Sequence, residues 1–154
     1  MHISDFFRSR FSTPRVNHPV FGPCRFFRGR EPASSYWEAQ IVVPGFEDPL
    51  ALAINAPESG PTEEHVQFFQ QFASSPEHFV SLAWPELASA FQSWCDRPLP
   101  THWRSELLLV GLEIPCDGGV SRDWSISFEI RSDPDHQITV NMAGGEPVSS
   151  SVDG

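Results

Sequence analysis

His65, His78, His102 and His136, three cysteines and a loose group of aspartates are the residues whose side chains could do chemistry in this chain. Covalent catalysis by a thiol needs only that the sulfur meet a base in space, so Cys95 with His102 is the arrangement to weigh first. No third residue stands out to orient that base, and structural elements separate the four histidines. Each reads as a surface histidine or an internally satisfied one rather than a catalytic base. Asp117, Asp123, Asp133 and Asp135 gather near two turns, where turn chemistry already explains aspartate. A calcium loop needs a denser array of oxygen ligands.

Other motifs are missing. Cys24, Cys95 and Cys116 are odd in number, widely spaced and never at zinc spacing, which suits reduced, buried thiols in a cytoplasmic protein. Gly118-Gly119 and Gly144-Gly145 lack the strand–loop–helix setting of a phosphate cradle. The chain has no His-Glu-x-x-His helix and no Gly-x-Ser-x-Gly elbow. The residues therefore point to a non-enzymatic protein, with no catalytic residues, no metal and no cofactor.

The elements that would position any site are clearer. From 123 to 142 apolar and polar residues alternate. Trp124, Ile126, Phe128 and Ile130 fall on one side, then Ile138, Val140 and Met142 after a turn at Ser132, Asp133, Pro134 and Asp135. A period of two implies an antiparallel hairpin with one buried and one wet face. Strands are also expected at 20–27, 36–43, 50–55 and 106–115. In the last, Leu108, Val110, Leu112 and Ile114 form one face, with Leu107 and Leu109 opposite. Thr62 caps a helix over 62–74, with Glu63 and Glu64 in its first turn. Ser75-Pro76 opens a second helix to about residue 94, whose stripe Val80, Trp84, Leu87, Phe91 and Trp94 is interrupted by Pro85. A bend at Pro85 is preferred to a break.

Strands, two helices and more strands in the order βββααβββ predict an α+β domain. The expected form is a mainly antiparallel sheet of about five to six strands with both helices packed on one face. Residues 1–19 form a basic, aromatic arm with a short helix around 4–10, since Pro14 and Pro19 discourage regular structure between them. Residues 20–143 form the single domain and 144–154 a flexible tail. The expected core includes Trp37, Ile41, Leu52, Ile54, Phe69, Phe72, Trp84, Leu87, Phe91, Leu108, Val110, Trp124, Ile126, Phe128, Val140 and Met142.

Composition supports a folded chain: 40% of the 154 residues are hydrophobic, with thirteen Phe and five Trp. No apolar run approaches the ~20 residues of a spanning helix. Residues 1–30 hold six of the ten Arg and one acid, leaving a net fifteen negative charges on the rest. Such a body repels nucleic acid and membrane surfaces and attracts basic partners.

Three stretches carry a resemblance. Tyr36-Trp37-Glu38-Ala39-Gln40-Ile41, Leu50-Ala51-Leu52-Ala53-Ile54 and Gly60-Pro61-Thr62-Glu63-Glu64-His65-Val66-Gln67 are followed by His136-Gln137-Ile138-Thr139-Val140 and Gly145-Glu146-Pro147-Val148. Over about residues 20–150 the pattern resembles a group of small, uncharacterised bacterial α+β domains, some encoded beside polymorphic toxins and regarded as immunity proteins. The Arg- and Phe-rich start departs from it, and the group has no catalytic residues to transfer. The resemblance implies a protein that neutralises a basic toxin domain by occlusion. Glu38, Glu63, Glu64 and Glu129 would then be the acidic contacts, with Tyr36 as an aromatic anchor. The alternatives are an oligomerising scaffold and a small hydrolase with a Cys/His site.

Overall fold

The computed structural model describes residues 14–116 and 123–154. Eight strands form one sheet whose spatial order follows the sequence. They are β1 (Arg15–His18), β2 (Gly22–Phe27), β3 (Tyr36–Ile41), β4 (Leu50–Ile54), β5 (Leu107–Ile114), β6 (Asp123–Ile130), β7 (Asp133–Ala143) and β8 (Glu146–Asp153). Between β4 and β5 lie helices α1 (Glu63–Ser74) and α2 (Pro76–Cys95). Every neighbouring pair is antiparallel except β4–β5, which is parallel and takes the two helices as its crossover. The fold is α+β, as expected, with eight strands rather than five to six and the order ββββααββββ. No helix is long and apolar enough to cross a membrane.

Both additional strands are edges that hide in unpromising sequence. β1 occupies the gap between Pro14 and Pro19, where the prolines argued against structure. A proline that cannot donate to a ladder is tolerated beside an edge strand. The turn to β2 is closed locally, since His18 Nδ1 accepts the backbone N–H of Val20 at 3.1 Å and of Phe21 at 3.3 Å. Phe21 then packs edge-on against Phe69 of α1 at 5.6 Å, tying this hairpin to the core. β8 replaces the expected flexible tail. Gly144, at φ 61°, makes the hairpin turn that Ala143 and Glu146 close. Its serines alternate: Ser149 and Ser151 are exposed, while Ser150 Oγ donates to Glu86 of α2 at 3.1 Å. The expected helix at 4–10 and the turn at 117–119 lie outside the described residues.

Two bulges correct the expected register. The β6–β7 turn is only Arg131-Ser132, because Asp133 already pairs with Ile130. A shift between Glu129 and Ile130 absorbs Pro134, which could not serve a regular ladder. In β5 a shift between Leu109 and Gly111 reverses the alternation. Leu107, Leu109, Leu112 and Ile114 are buried, so Leu108 and Val110 are not core residues but lie half-buried on the other face. One extra residue on one strand moves every side chain beyond it to the opposite side.

The two helices supply the covering layer, and their buried residues share one core with the sheet. Phe68, Phe72, Phe79 and Trp124 meet edge-to-face at 5.3 to 5.8 Å. The indoles of Trp37 and Trp124 donate to the Pro57 and Gly144 carbonyls, each at 2.8 Å. Ile41 and Trp84 are half-buried at the margin. α2 runs unbroken through Pro85. The start of α1 is pinned to β4 by His65, which is 1% exposed. Its Nδ1 accepts the Thr62 N–H at 3.0 Å and its Nε2 faces the Asn55 carbonyl at 3.2 Å, so the neutral tautomer with the proton on Nε2 satisfies both.

The β5 bulge makes a sharp prediction for denaturant unfolding. Leu109→Ala should cost about 2–5 kcal/mol and Leu108→Ala about 1 kcal/mol or less. Equal losses would place the bulge wrongly.

Candidate protein-binding face

Among the described residues, helices cover one face of the sheet and no second layer lies on the other. Because the strands stand in register, residues of the open face line up in rows across the sheet. One row runs Arg25, Glu38, Ala53, Glu113, Ser125 and Asn141 from β2 to β7. Two residues along the strands, the next row runs Gln40, Ala51, Gly111, Ser127 and Thr139. A third holds Leu108, Glu129 and Gln137. Beyond Gln40 the middle row has no side chain longer than threonine. A trough of about 880 Å³ therefore lies over the strands, with Glu38 and Glu113 on one side of the low row and Val110, Glu129 and Gln137 on the other. Gly111 keeps its floor low: a Cβ there would stand 3.2 Å from the Ser127 Cβ.

Three carboxylates and one guanidinium line this trough. Glu113 is well held, accepting from Asn55 Nδ2 at 2.7 Å and from Ser125 Oγ at 3.0 Å. The Ser127 and Thr139 hydroxyls share a bond of 2.9 Å. Glu38 is less well served, with only a long 3.5 Å bond from the Tyr36 hydroxyl. Burial pushes its carboxyl above the ordinary range, and the charge of Arg25 and the Tyr36 bond offset this only in part. Arg25 itself lies over the Phe27 ring at 4.8 Å, and among the described residues its buried Nε on this face has no hydrogen-bond partner.

The five residues singled out from the sequence are only partly brought together. Glu38 and Glu129 line opposite flanks of the trough. Tyr36 stands beside Glu38 on the same face, its ring stacked on Phe27 at 5.4 Å. Glu63 and Glu64 lie exposed in the first turn of α1, on the covered side of the sheet, and do not join the face. Arg25, Glu113, Ala51, Ala53 and Gly111 were not singled out. Their signal was available in the alternation of Ala51 and Ala53 with Leu50, Leu52 and Ile54. It was masked in β5, where the bulge puts Gly111 and Glu113 out of phase with the residues before it.

Some of the residues weighed for chemistry are engaged in local structure, while Cys116 is exposed. The Cys24 thiol is buried and donates to the Gly22 carbonyl at 3.4 Å. The Cys95 thiol is pushed up by burial, and its charged neighbours are Arg97, Glu106 and Asp133. A raised thiol is a poor nucleophile near neutral pH. Asp133 accepts from Trp94 Nε1 at 3.0 Å and faces His136 Nδ1 at 3.0 Å, contacts that hold its carboxyl below the usual range. Asp117 lies outside the described residues.

The Glu38 environment gives a pH dependence with a definite sign. A carboxyl that binds its proton more tightly folded than unfolded favours the fold in acid. That contribution is lost as pH rises through its raised value. Glu38→Gln should therefore raise the urea midpoint near neutral pH and leave it unchanged in acid, below the ordinary carboxylate range. An equal effect at both would show that burial of the charge is not the cause.

Comparison of the chain with protein-family models, with curated proteins and with solved structures finds no match.

Proposed function

We propose that this chain is a cytoplasmic, non-enzymatic protein-binding domain that acts by occupying a basic partner, in the manner of the immunity proteins its sequence resembles. The observation that carries this reading is the open sheet face, whose trough is lined by Glu38, Glu113 and Glu129 and by Arg25, with Arg15 next to Arg25 at the β1 end of the row. A broad polar face suits a protein surface better than a small ligand, which prefers an enclosed apolar pocket. Residues 14–154, with β1 and β2 included, hold eight Arg and nineteen acids, and these eleven net negative charges extend the same field over the body. Opposite fields on the partner would speed encounter and oppose wrong partners more than they would raise affinity. An inhibitor by occlusion needs only a stable fold and a complementary face, so it has no use for a reactive thiol or histidine.

A second reading has one specific observation behind it. β8 is an eight-residue strand at the edge of the sheet, and among the described strands it pairs with β7 alone. Long edges of this kind can pair with a second copy and make a scaffold.

Both readings meet in one experiment on the protein encoded beside this chain. Co-expression should relieve that protein's toxicity, and the purified pair should associate roughly tenfold or more slowly at high salt than at low salt. Persistent toxicity with no complex would remove the immunity reading. A salt-independent symmetric dimer of this chain alone would favour the scaffold.

A further inference from the structure

The spacing of the rows restricts what can lie in the trough. The flanking rows are four residues apart along β6, from Ser125 to Glu129, or about 13 Å at the rise of an extended strand. The floor crosses from β3 to β7, four inter-strand spacings or about 19 Å. An α-helix with its side chains is about 10–12 Å across, and thirteen residues of it span about 19 Å. A low floor between raised flanks is the shape that admits such a rod.

Backbone chemistry points the same way. In the middle of the sheet each strand's backbone is engaged by neighbours on both sides, so only side chains face the trough. An extended peptide laid there would leave its own N–H and C=O groups without ladder partners. A helix brings its backbone hydrogen bonds with it and needs only side-chain contacts. The charge pattern sets the chemistry of that helix. Glu38 and Glu113 stand on one flank and Glu129 on the other, so cationic side chains on both sides of a helix would find a carboxylate. Phosphate-bearing partners would meet the same carboxylates as repulsion.

From this geometry we infer that the trough receives a basic α-helix of a partner protein, about thirteen residues long, lying across the strands from β3 to β7. Its apolar or small residues rest on Ala51, Gly111 and Ser127. Its Lys or Arg side chains reach Glu38 and Glu113 on one flank and Glu129 on the other. This rests on the protein-binding reading above and adds the site and the shape of the occupant.

The test uses the full chain and the protein encoded beside it, with binding measured by surface plasmon resonance. Ala51 is exposed, so Ala51→Trp fills the floor without touching the core. A thermal melt checks the fold of each variant. Ala51→Trp should weaken binding by about a hundredfold, and the pair Glu38→Gln with Glu129→Gln should slow association by about tenfold. Asp96→Asn, at the exposed left-handed end of α2, removes a charge elsewhere and should change neither. Cross-linking from a photoreactive residue at position 51 should then capture a helical segment rich in Lys or Arg. Failure of the wild-type chain to bind would overturn both the reading and this inference. Wild-type binding that survives Ala51→Trp and the double Gln variant would overturn the inference alone. Capture of an extended loop or a nucleic acid at position 51 would overturn the helical occupant.

Discussion

The parallel pairing of β4 with β5 is the constraint on which the rest of the structure depends. Antiparallel neighbours can be joined by a tight turn, but a parallel neighbour is reached only by carrying the chain back along the sheet. Here α1 and α2 make that return, and among the described residues theirs is the one segment that leaves the sheet for long. Both helices are amphipathic and bury Phe68, Phe72, Phe79 and Leu87 against the strands, so they lie on a single face. With one helical crossover, no other helix among the described residues covers the second face. The open face is a consequence of topology before it is a feature of composition.

The sheet can leave that face open because its covered side is densely aromatic. Trp37, Trp124, Phe72, Phe91 and Phe128 are all fully buried, and burial on one side is enough to hold an antiparallel sheet. The open side is thereby free to carry residues that add little to stability. The half-buried Glu38 carboxyl and the unpartnered Arg25 Nε are placed where an internally optimised surface would not put them.

The edges and the bulges belong to the same logic. β1 is short and bounded by Pro14 and Pro19, which limits pairing beyond it. β8 is longer and carries three consecutive serines, and α2 packs along it through Glu86 and Ser150. The β5 bulge has a direct effect on the face. By turning Leu112 and Ile114 back into the core it leaves Gly111 and Glu113 on the open side, one as floor and one as flank of the trough.

The sequence by itself determined the α+β class, the positions of both helices and the buried faces of β3, β4, β6 and β7. Each of these depends on local periodicity, caps and turn residues, which any short window displays. Trp37 and Ala39 alternate with Glu38 and Gln40 whatever lies around them, and Thr62 announces the start of α1 with its neighbours. The tertiary structure alone decided the rest. β1 and β8 gain their order from pairing with β2 and β7, and their own residues are too polar or too interrupted to signal it. The phase of β5 depends on which residue of β6 it faces, so Leu108 and Leu109 could not be told apart by alternation. The rows that build the trough require registers between strands as distant in sequence as β4 and β5. Register is a property of two strands, and no single stretch of sequence contains it.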